Sequence, residues 1–428
     1  MRKLIPPFLF SAYHWTLARL AAIIFWFPSR SMIIIGVTGT DGKTTTSYMI
    51  HHLLESAGIK SGLISTVMVK IGGKSIKYES DLTTPGRFTL SYLLFKMKRA
   101  GCKVAIIETS SEGLIGHRVD WIDFDVAVFT NLAPEHLNTH KTFQRYKEAK
   151  GKLFSSLAIS KKKNFSKTSV VNFDDKEAGY FHSFWAEEKR TYALNEKADF
   201  NATEISVFNN RNEFIVGSQK FIIPHFMGIY NIYNALAAIS TVSLFGVSIQ
   251  RSALFFKNIN PLSGRMNQIE EGQDFFVFVD FAHTPQGLES VLRTVKSFAK
   301  GKTISVFGSA GGRDANKRPD FGRVAARYSD FTILTTDDPR MEDPQNIAKD
   351  IALGLTEAGK KEDVEYIFIK DRKKAIERAI EIAQTGDVVI TTGIGHHRVL
   401  YVGKGTIPWN EEGIAREAIR KKLTRIKK

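Results

Sequence analysis

At 428 residues and 48.1 kDa the chain exceeds one average domain, so two or three domains are expected. Hydrophobic residues at 43% and charged residues at 24% exclude a disordered, collagen-like or polytopic membrane chain. The one cysteine, Cys102, excludes a disulfide framework and a cysteine-based zinc site and points to a reducing cytoplasm. Sixty Lys+Arg against 44 Asp+Glu leave +16, a field that attracts nucleic acid, anionic lipid or an acidic small molecule. No nucleic-acid motif accompanies it, and the basic runs at 161–163 and 420–428 read as solvated surface.

Residues 5–27 are rich in Phe, Trp, Leu and Ile and follow Arg2 and Lys3, but Pro6, Pro7, His14 and Arg19 interrupt them. The segment is too broken for a clean span and no small-residue cleavage site precedes Pro28. Two readings stay open: a helix capping the next domain, or an interfacial helix with Trp15 and Trp26 at lipid headgroups. From Ser31 a strand (33–37), a glycine loop and a helix (44–57) open an α/β domain. Apolar runs at 104–107 and 126–129 end in polar residues, Glu108-Thr109-Ser110-Ser111 and Thr130-Asn131, where parallel sheets place ligands. Residues 158–225 suggest a mixed or antiparallel extension, and the turn-rich Pro261-Leu262-Ser263-Gly264-Arg265 marks a boundary. Strands at 275–280, 303–307, 331–335 and 388–391 then alternate with helices at 286–298, 321–328 and 372–384, predicting a second doubly wound domain.

The strongest local signal is Gly36-Val37-Thr38-Gly39-Thr40-Asp41-Gly42-Lys43-Thr44-Thr45-Thr46, between strand and helix. Backbone N–H groups of such a loop cradle phosphates, Lys43 offsets γ-phosphate charge and the Thr44 hydroxyl reaches Mg²⁺. Strict P-loop spacing would put glycine at 37; Val37 stands there, with Gly36 one place earlier.

This variant resembles the phosphate loop of the Mur ligases, ATP-dependent amide-forming enzymes of peptidoglycan precursor synthesis. The likeness continues in order through Thr83-Thr84-Pro85, Glu108-Thr109-Ser110-Ser111, His117-Arg118-Val119, Thr130-Asn131-Leu132, Glu135-His136-Leu137 and Glu148-Ala149-Lys150. Asn231-x-x-Asn234-Ala235, Gly264-Arg265-Met266, residues 279–285, Gly311-Gly312-Arg313-Asp314, Lys317-Arg318-Pro319, Asp337-Asp338-Pro339-Arg340 and Gly393-Ile394-Gly395-His396 follow, resembling the branch that adds the third stem-peptide residue. The resemblance implies a P-loop-type parallel-sheet ATPase domain at 33–262 and a Rossmann-like α/β domain at 263–428. Residues 1–32 stand as an apolar remnant where the family carries a uridine-binding domain.

The chemistry so implied starts from a poor acyl donor. A carboxylate attacks the ATP γ-phosphate to give an acyl phosphate, which an amine displaces. The resemblance implies Lys43, Glu108, His136 and Lys150 as catalytic residues, with Thr44, Glu108, His136 and Lys150 around Mg²⁺. An ammonium at Lys150 would repel a metal, and the matching family lysine is carbamylated, hence anionic. ATP is assigned to Gly39, Thr40, Asp41, Gly42, Lys43, Thr44, Thr45, Asn231, Asn234, Arg265 and Asp280, bridging two domains whose closure excludes water. The UDP-linked muramoyl dipeptide is assigned to Thr83, Thr84, Ser110 and Arg118, and the free amino acid to Arg313, Asp337, Asp338, Pro339, Arg340, Gly393 and His397.

That amino-acid pocket departs from the family pattern. Asp338 replaces an Asn, Ile394 a Lys and His397 a Glu, so the usual anionic partner of a distal ammonium is missing, while Arg313 and Arg340 still favour a second carboxylate. Diaminopimelate is therefore the expected amino acid. Glu112 and Gly116 also depart, which alters the nucleotide-sugar contacts. A folylpolyglutamate-type ligase and a nucleic-acid-dependent ATPase are the alternatives. A cytoplasmic monomer is expected, with peripheral membrane contact through residues 5–27 and no nucleic acid partner.

Overall fold

The computed structural model describes residues 7–76, 82–135 and 137–426. His136 lies outside them. The chain separates into two compact units, one of residues 1–205, 213–222 and 230–259, the other of 206–212, 223–229 and 260–428.

The first unit begins with α1 (Pro7–Ile24), which runs unbroken through His14 and Arg19 because Pro7 stands at its start. Its parallel core follows: β1 (Ile33–Thr38), α2 (Lys43–Ser56), β2 (Ser61–Ile64), α3 (Arg87–Arg99), β5 (Val104–Glu108), α4 (Ser111–Ile115) and β6 (Val126–Phe129). A hairpin, β3 (Val69–Ile71) with β4 (Lys74–Ile76), is inserted after β2. After α5 (Leu137–His140) and α6 (Phe143–Ile159) come β7 (Thr168–Asn172), α7 (Ala178–Ser183) and β8 (Glu188–Ala193). Strand order is β8-β7-β6-β1-β5-β2-β3-β4, with β1 central and parallel to both β5 and β6. Strands covered on both faces read as continuous β-branched runs, and Ile34, Ile35 and Val37 are buried accordingly. The strands β9 (Phe200–Val207), β10 (Arg211–Val216) and β11 (Gln219–Pro224) contain residues of both units, and helices α8 (Ile229–Ser243) and α9 (Ile249–Phe256) follow.

The second unit is built on β12 (Asn267–Gln268), β13 (Phe276–Val279), α10 (Pro285–Phe298), β14 (Thr303–Phe307), α11 (Arg318–Tyr328), β15 (Phe331–Leu334), α12 (Pro344–Glu357), β16 (Tyr366–Phe368), α13 (Arg372–Ile382) and β17 (Val388–Thr391). Its sheet runs β12-β13-β17-β14-β15-β16, parallel except for β12. The hairpin β18 (Val399–Val402) and β19 (Gly405–Pro408) and helix α14 (Glu411–Ile426) complete it. Helix starts are set by local chemistry: Thr284 caps α10 through the Gly287 N–H, with Pro285 behind it, and Asp371 caps α13 through Lys374. Helix α11 begins at Arg318 instead of Phe321, since Pro319 in its first turn fits a helix N-terminus. Both units are α/β, as expected.

Candidate active site

In the first unit the functional side chains collect at the carboxyl ends of β1, β5 and β6. Gly42 has φ 81° and ends the loop as the N-cap of α2, with no side chain capping the helix, so the α2 amino terminus is shaped for an anion. A Cβ at Gly42 would overlap the Asn234 side chain from α8, whose Oδ1 also accepts from Thr46 Oγ1 at 3.2 Å. Asn234 donates to Asn231 at 3.0 Å, so this pair braces the phosphate loop from behind. Lys43 curls over the loop, its Nζ donating to the Thr40 carbonyl at 2.8 Å and the Gly39 carbonyl at 3.1 Å. The Asp41 N–H is held by Asn131 Oδ1 at 2.9 Å and the Asp41 carbonyl by Thr130 Oγ1 at 2.7 Å.

Glu108, buried at the end of β5, accepts from Thr44 Oγ1 at 3.0 Å on both oxygens and from the N–H and hydroxyl of Thr66 at 2.8 and 3.0 Å. Next to it, Thr84 donates to the Glu108 carbonyl at 3.0 Å, lies 3.2 Å from Ser110 Oγ, and receives Arg118 Nη1 on its own carbonyl at 3.0 Å. Thr83-Thr84-Pro85 is thus fastened to the strand end that carries Glu108, and Thr83 is half-buried beside it.

Lys150 on α6 is 1% exposed, and its Nζ donates to the Gly39 carbonyl at 2.6 Å while lying 4.5 Å from the centre of the Tyr146 ring. Burial, reinforced by the Lys43 charge, pushes its pKa well below the ordinary lysine value, against the pull of Glu135, Asp41 and Glu108. Burial therefore favours the uncharged form of this amine at the phosphate loop.

Tyr146, His140 and Thr66 belong to this cluster although sequence reasoning passed them over. Tyr146 is one helical turn before Lys150, a spacing that places both on one face of α6, and its hydroxyl lies 3.2 Å from Thr40 Oγ1. His140 is buried against Ser111 Oγ at 3.0 Å, its pKa lowered by burial and by Lys150. Thr66 follows β2 without any motif to flag it.

In the second unit, Asp280 at the end of β13 accepts the Met266 N–H on one oxygen and the Ala282 N–H on the other, both at 2.7 Å. It pins the turn in which Gly264 has φ 65° and in which any Cβ would overlap the backbone of Gly395 and His396. Arg265 lies over the Phe281 ring at 4.9 Å, and His283, His396 and His397 meet the same ring at tilted angles. His396 is pushed down to about 2 by burial and neighbouring cations.

The loops after β15 and β17 hold the amino-acid candidates. Asp338 and Arg340 have φ 37° and 54°, a costly turn for side-chain-bearing residues, stabilised by the Tyr401 N–H on Asp338 Oδ1 at 2.9 Å and by Arg340 N–H on the Tyr401 carbonyl at 3.1 Å. Pro339 is buried between them, and Arg313 and Arg340 are exposed. Asp337 is buried against Gly393, and burial raises its carboxyl to about 7 despite Arg372. Arg372 is itself fully buried and grips Glu411 while donating to the carbonyls of Thr336 at 3.2 Å and Thr392 at 2.7 Å, clamping both loops. Ile394, standing where the resemblance has a lysine, is buried in the core, whereas His397 is half-buried against Phe281.

A strand–glycine loop–helix with an uncapped helix start, a buried Thr–Glu pair and a buried lysine define an enzyme that handles a nucleoside triphosphate. Residues 37–242 match the Mur ligase middle domain and residues 264–395 the Mur ligase glutamate ligase domain. The chain is 38% identical over 416 residues to UDP-N-acetylmuramoyl-L-alanyl-D-glutamate--2,6-diaminopimelate ligase of Geobacillus thermodenitrificans (strain NG80-2), covering 95% of this chain and 82% of that protein. It is also 38% identical to UDP-N-acetylmuramyl-tripeptide synthetase of Roseiflexus sp. (strain RS-1), over 94% of this chain and 81% of that one. A solved UDP-N-acetylmuramoyl-L-alanyl-D-glutamate--2,6-diaminopimelate ligase superposes with a TM-score of 0.64 at 29% identity, covering 98% of this chain and 84% of that chain. The folylpolyglutamate synthase of Mycobacterium tuberculosis shares the fold, with a TM-score of 0.72 at 16% identity over 89% of this chain and 92% of that chain. The chain belongs to the Mur ligase family, ATP-dependent ligases that form peptide bonds in peptidoglycan precursor synthesis.

Proposed function

We propose that this enzyme joins meso-diaminopimelate to the D-glutamyl carboxylate of UDP-N-acetylmuramoyl-L-alanyl-D-glutamate, with ATP converted to ADP and phosphate. The observation that carries the reading is the pairing of an intact phosphate-loop cluster with an exposed arginine at the end of Asp337-Asp338-Pro339-Arg340. The matches at 37–38% identity to proteins named for that reaction support it.

The acceptor carboxylate attacks the γ-phosphorus, the bond to the bridging oxygen breaks and ADP leaves. The amine of the incoming amino acid then attacks the acyl carbon and phosphate departs, carrying the oxygen that came from the carboxylate. Lys43 and the α2 amino terminus lower the repulsion between two anions, and Thr84, Ser110 and Arg118 supply donors for the acceptor's phosphates and carboxylates. Asn231, Asn234, Arg265 and Asp280 are assigned to the nucleotide.

No group of three or more His, Cys, Asp or Glu side chains among the described residues is placed to hold a metal alone. Mg²⁺ does not require one, because it keeps waters and substrate phosphates and takes one or two protein oxygens. Glu108 and Thr44 fit as those oxygens, and Mg²⁺ when bound would neutralise phosphate charge. Lys150 fits carbamylation because an uncharged amine is the form that adds CO₂, and the product would be an anion suited to a metal. Its mass increment on the intact protein, absent from Lys150→Arg, tests this.

For the amino acid, Arg340 and Arg313 suit a distal carboxylate and Asp338 a distal ammonium. The enzyme is proposed to act as a cytoplasmic monomer. The deciding assay is phosphate release from ATP and Mg²⁺ with the UDP-muramoyl dipeptide and diaminopimelate, lysine, ornithine or no amino acid. Release that requires diaminopimelate, with the tripeptide product mass, is expected. Release with lysine alone would overturn the amino-acid assignment, and release independent of the acceptor would overturn the function.

A further inference from the structure

Helix α1 carries apolar side chains on both its packed and its exposed sides, with Thr16 and Arg19 also exposed, and only one face of it is used within the unit. Ala18, Ala21 and Ala22 are buried and let it pack closely on α3, where Phe25 meets the rings of Tyr92 at 5.7 Å and Phe95 at 6.0 Å. Trp15 rests on Trp121 at 5.2 Å and Ser11 Oγ lies 2.7 Å from His117 Nε2. The opposite face carries Leu9, Tyr13, Leu20, Ile23 and Ile24, of which the last two are each 50% exposed, and Trp26 just beyond is 80% exposed. Helices normally show water a polar face, and a contiguous apolar one marks an interaction surface.

Charge identifies the occupant. The first 40 residues contain four cations, Arg2, Lys3, Arg19 and Arg30, and no acidic residue; the first is Asp41. Arg30 is engaged by Asp123 at 3.2 Å, but α3 adds Lys96 over the Tyr92 ring and Arg99 over the Phe95 ring, beside the Phe25 contact. Exposed aliphatics, a protruding tryptophan and a tyrosine, rimmed by cations, match a bilayer surface, with aromatic rings at headgroup level and cations toward anionic lipid. No helix among the described residues is long and apolar enough to cross a membrane. We propose that the exposed face of α1 lies on the surface of an anionic lipid bilayer, with Leu20, Ile23, Ile24 and Trp26 inserted and Arg19, Lys96 and Arg99 over the headgroups.

The test is co-sedimentation of the full chain with vesicles of phosphatidylcholine alone or mixed with phosphatidylglycerol. Binding to the mixed vesicles, weakened by salt and at least about tenfold weaker on phosphatidylcholine, is expected. Lys96→Gln and Arg99→Gln should each weaken it about fivefold. Leu20→Ser/Ile23→Ser/Trp26→Ser should abolish it with the unfolding temperature and ATP turnover retained, and brominated lipid should quench a fluorescence component lost in Trp26→Phe. Absence of binding to the mixed vesicles, or binding that survives the triple substitution, would overturn the proposal. So would a concentration-dependent dimer that the triple substitution dissolves, since the face would then belong to a second copy.

Discussion

Two lysines of the first unit, Lys150 and Lys167, are each 1% exposed, and the protein treats them in opposite ways. Lys167 sits at the amino end of β7 and donates to Asp125 at 2.9 Å and to the carbonyls of Phe124 at 2.7 Å and Lys161 at 3.0 Å. Asp125, fully buried, also takes Lys163 at 2.5 Å and the Ile34 N–H at 2.8 Å, so two cations share one carboxylate that is tied to β1. Lys150, at the carboxyl ends of the strands, has one carbonyl and an aromatic face, and forms no ion pair among the described residues. The first site satisfies its charge and holds the fold together. The second gives its amine no paired carboxylate and favours the uncharged form, which is a cost to stability and a resource for chemistry.

The comparison breaks most visibly at Lys150. Lys150→Met should lower ligase turnover about ten-thousandfold, roughly 5.5 kcal/mol in barrier, while the unfolding temperature stays level or rises because a desolvated amine is replaced by an apolar chain. Turnover within tenfold of the parent would show that the lysine is structural after all. Asp125→Ala should do the reverse, costing about 3–5 kcal/mol in chemical denaturation by stranding the buried Lys167 and the half-buried Lys163. Turnover per folded molecule, measured well below the melting range, should then change less than about twofold.

A third contrast uses Asp337. Its carboxyl, raised to about 7, stays protonated in the folded protein where the unfolded chain has already released the proton. The stability it contributes is therefore present below about pH 4 and lost as pH rises to about 7. Asp337→Asn should thus gain stability relative to the parent by a few kcal/mol between pH 4 and pH 8, read from paired denaturation curves. A difference that does not vary with pH would sink this. The smallest effect is expected at Thr66→Val, which removes one hydrogen bond to Glu108 and should raise KM for Mg-ATP a few-fold, about 1 kcal/mol.

Much of this was legible in the order of residues. The strand, glycine loop and helix at 33–56 follow from a β-branched run, two glycines and a helical period, all local signals. Lys150 was legible only through family likeness, because nothing in its own neighbourhood distinguishes a buried lysine from a surface one. Thr66 and His140 were not legible, since their roles exist only once β2, α5 and β5 bring distant segments together. The hairpin of β3 and β4 escaped for a similar reason: its strands are three residues each and carry no apolar alternation long enough to read. Asp280 was legible as a nucleotide candidate only through family likeness, and its hold on the main chain of Met266 and Ala282 was not legible at all, because it depends on the turn around Gly264.

The chain has one cysteine, Cys102, buried after α3 with its thiol pushed up by burial. A thiol that is both enclosed and protonated reacts slowly with maleimides. The protein is in effect a blank for thiol labelling, and a single new cysteine at an exposed position of each unit would accept a dye pair with little background. Energy transfer between the two dyes would then follow the enzyme through its catalytic cycle without first engineering out a native cysteine.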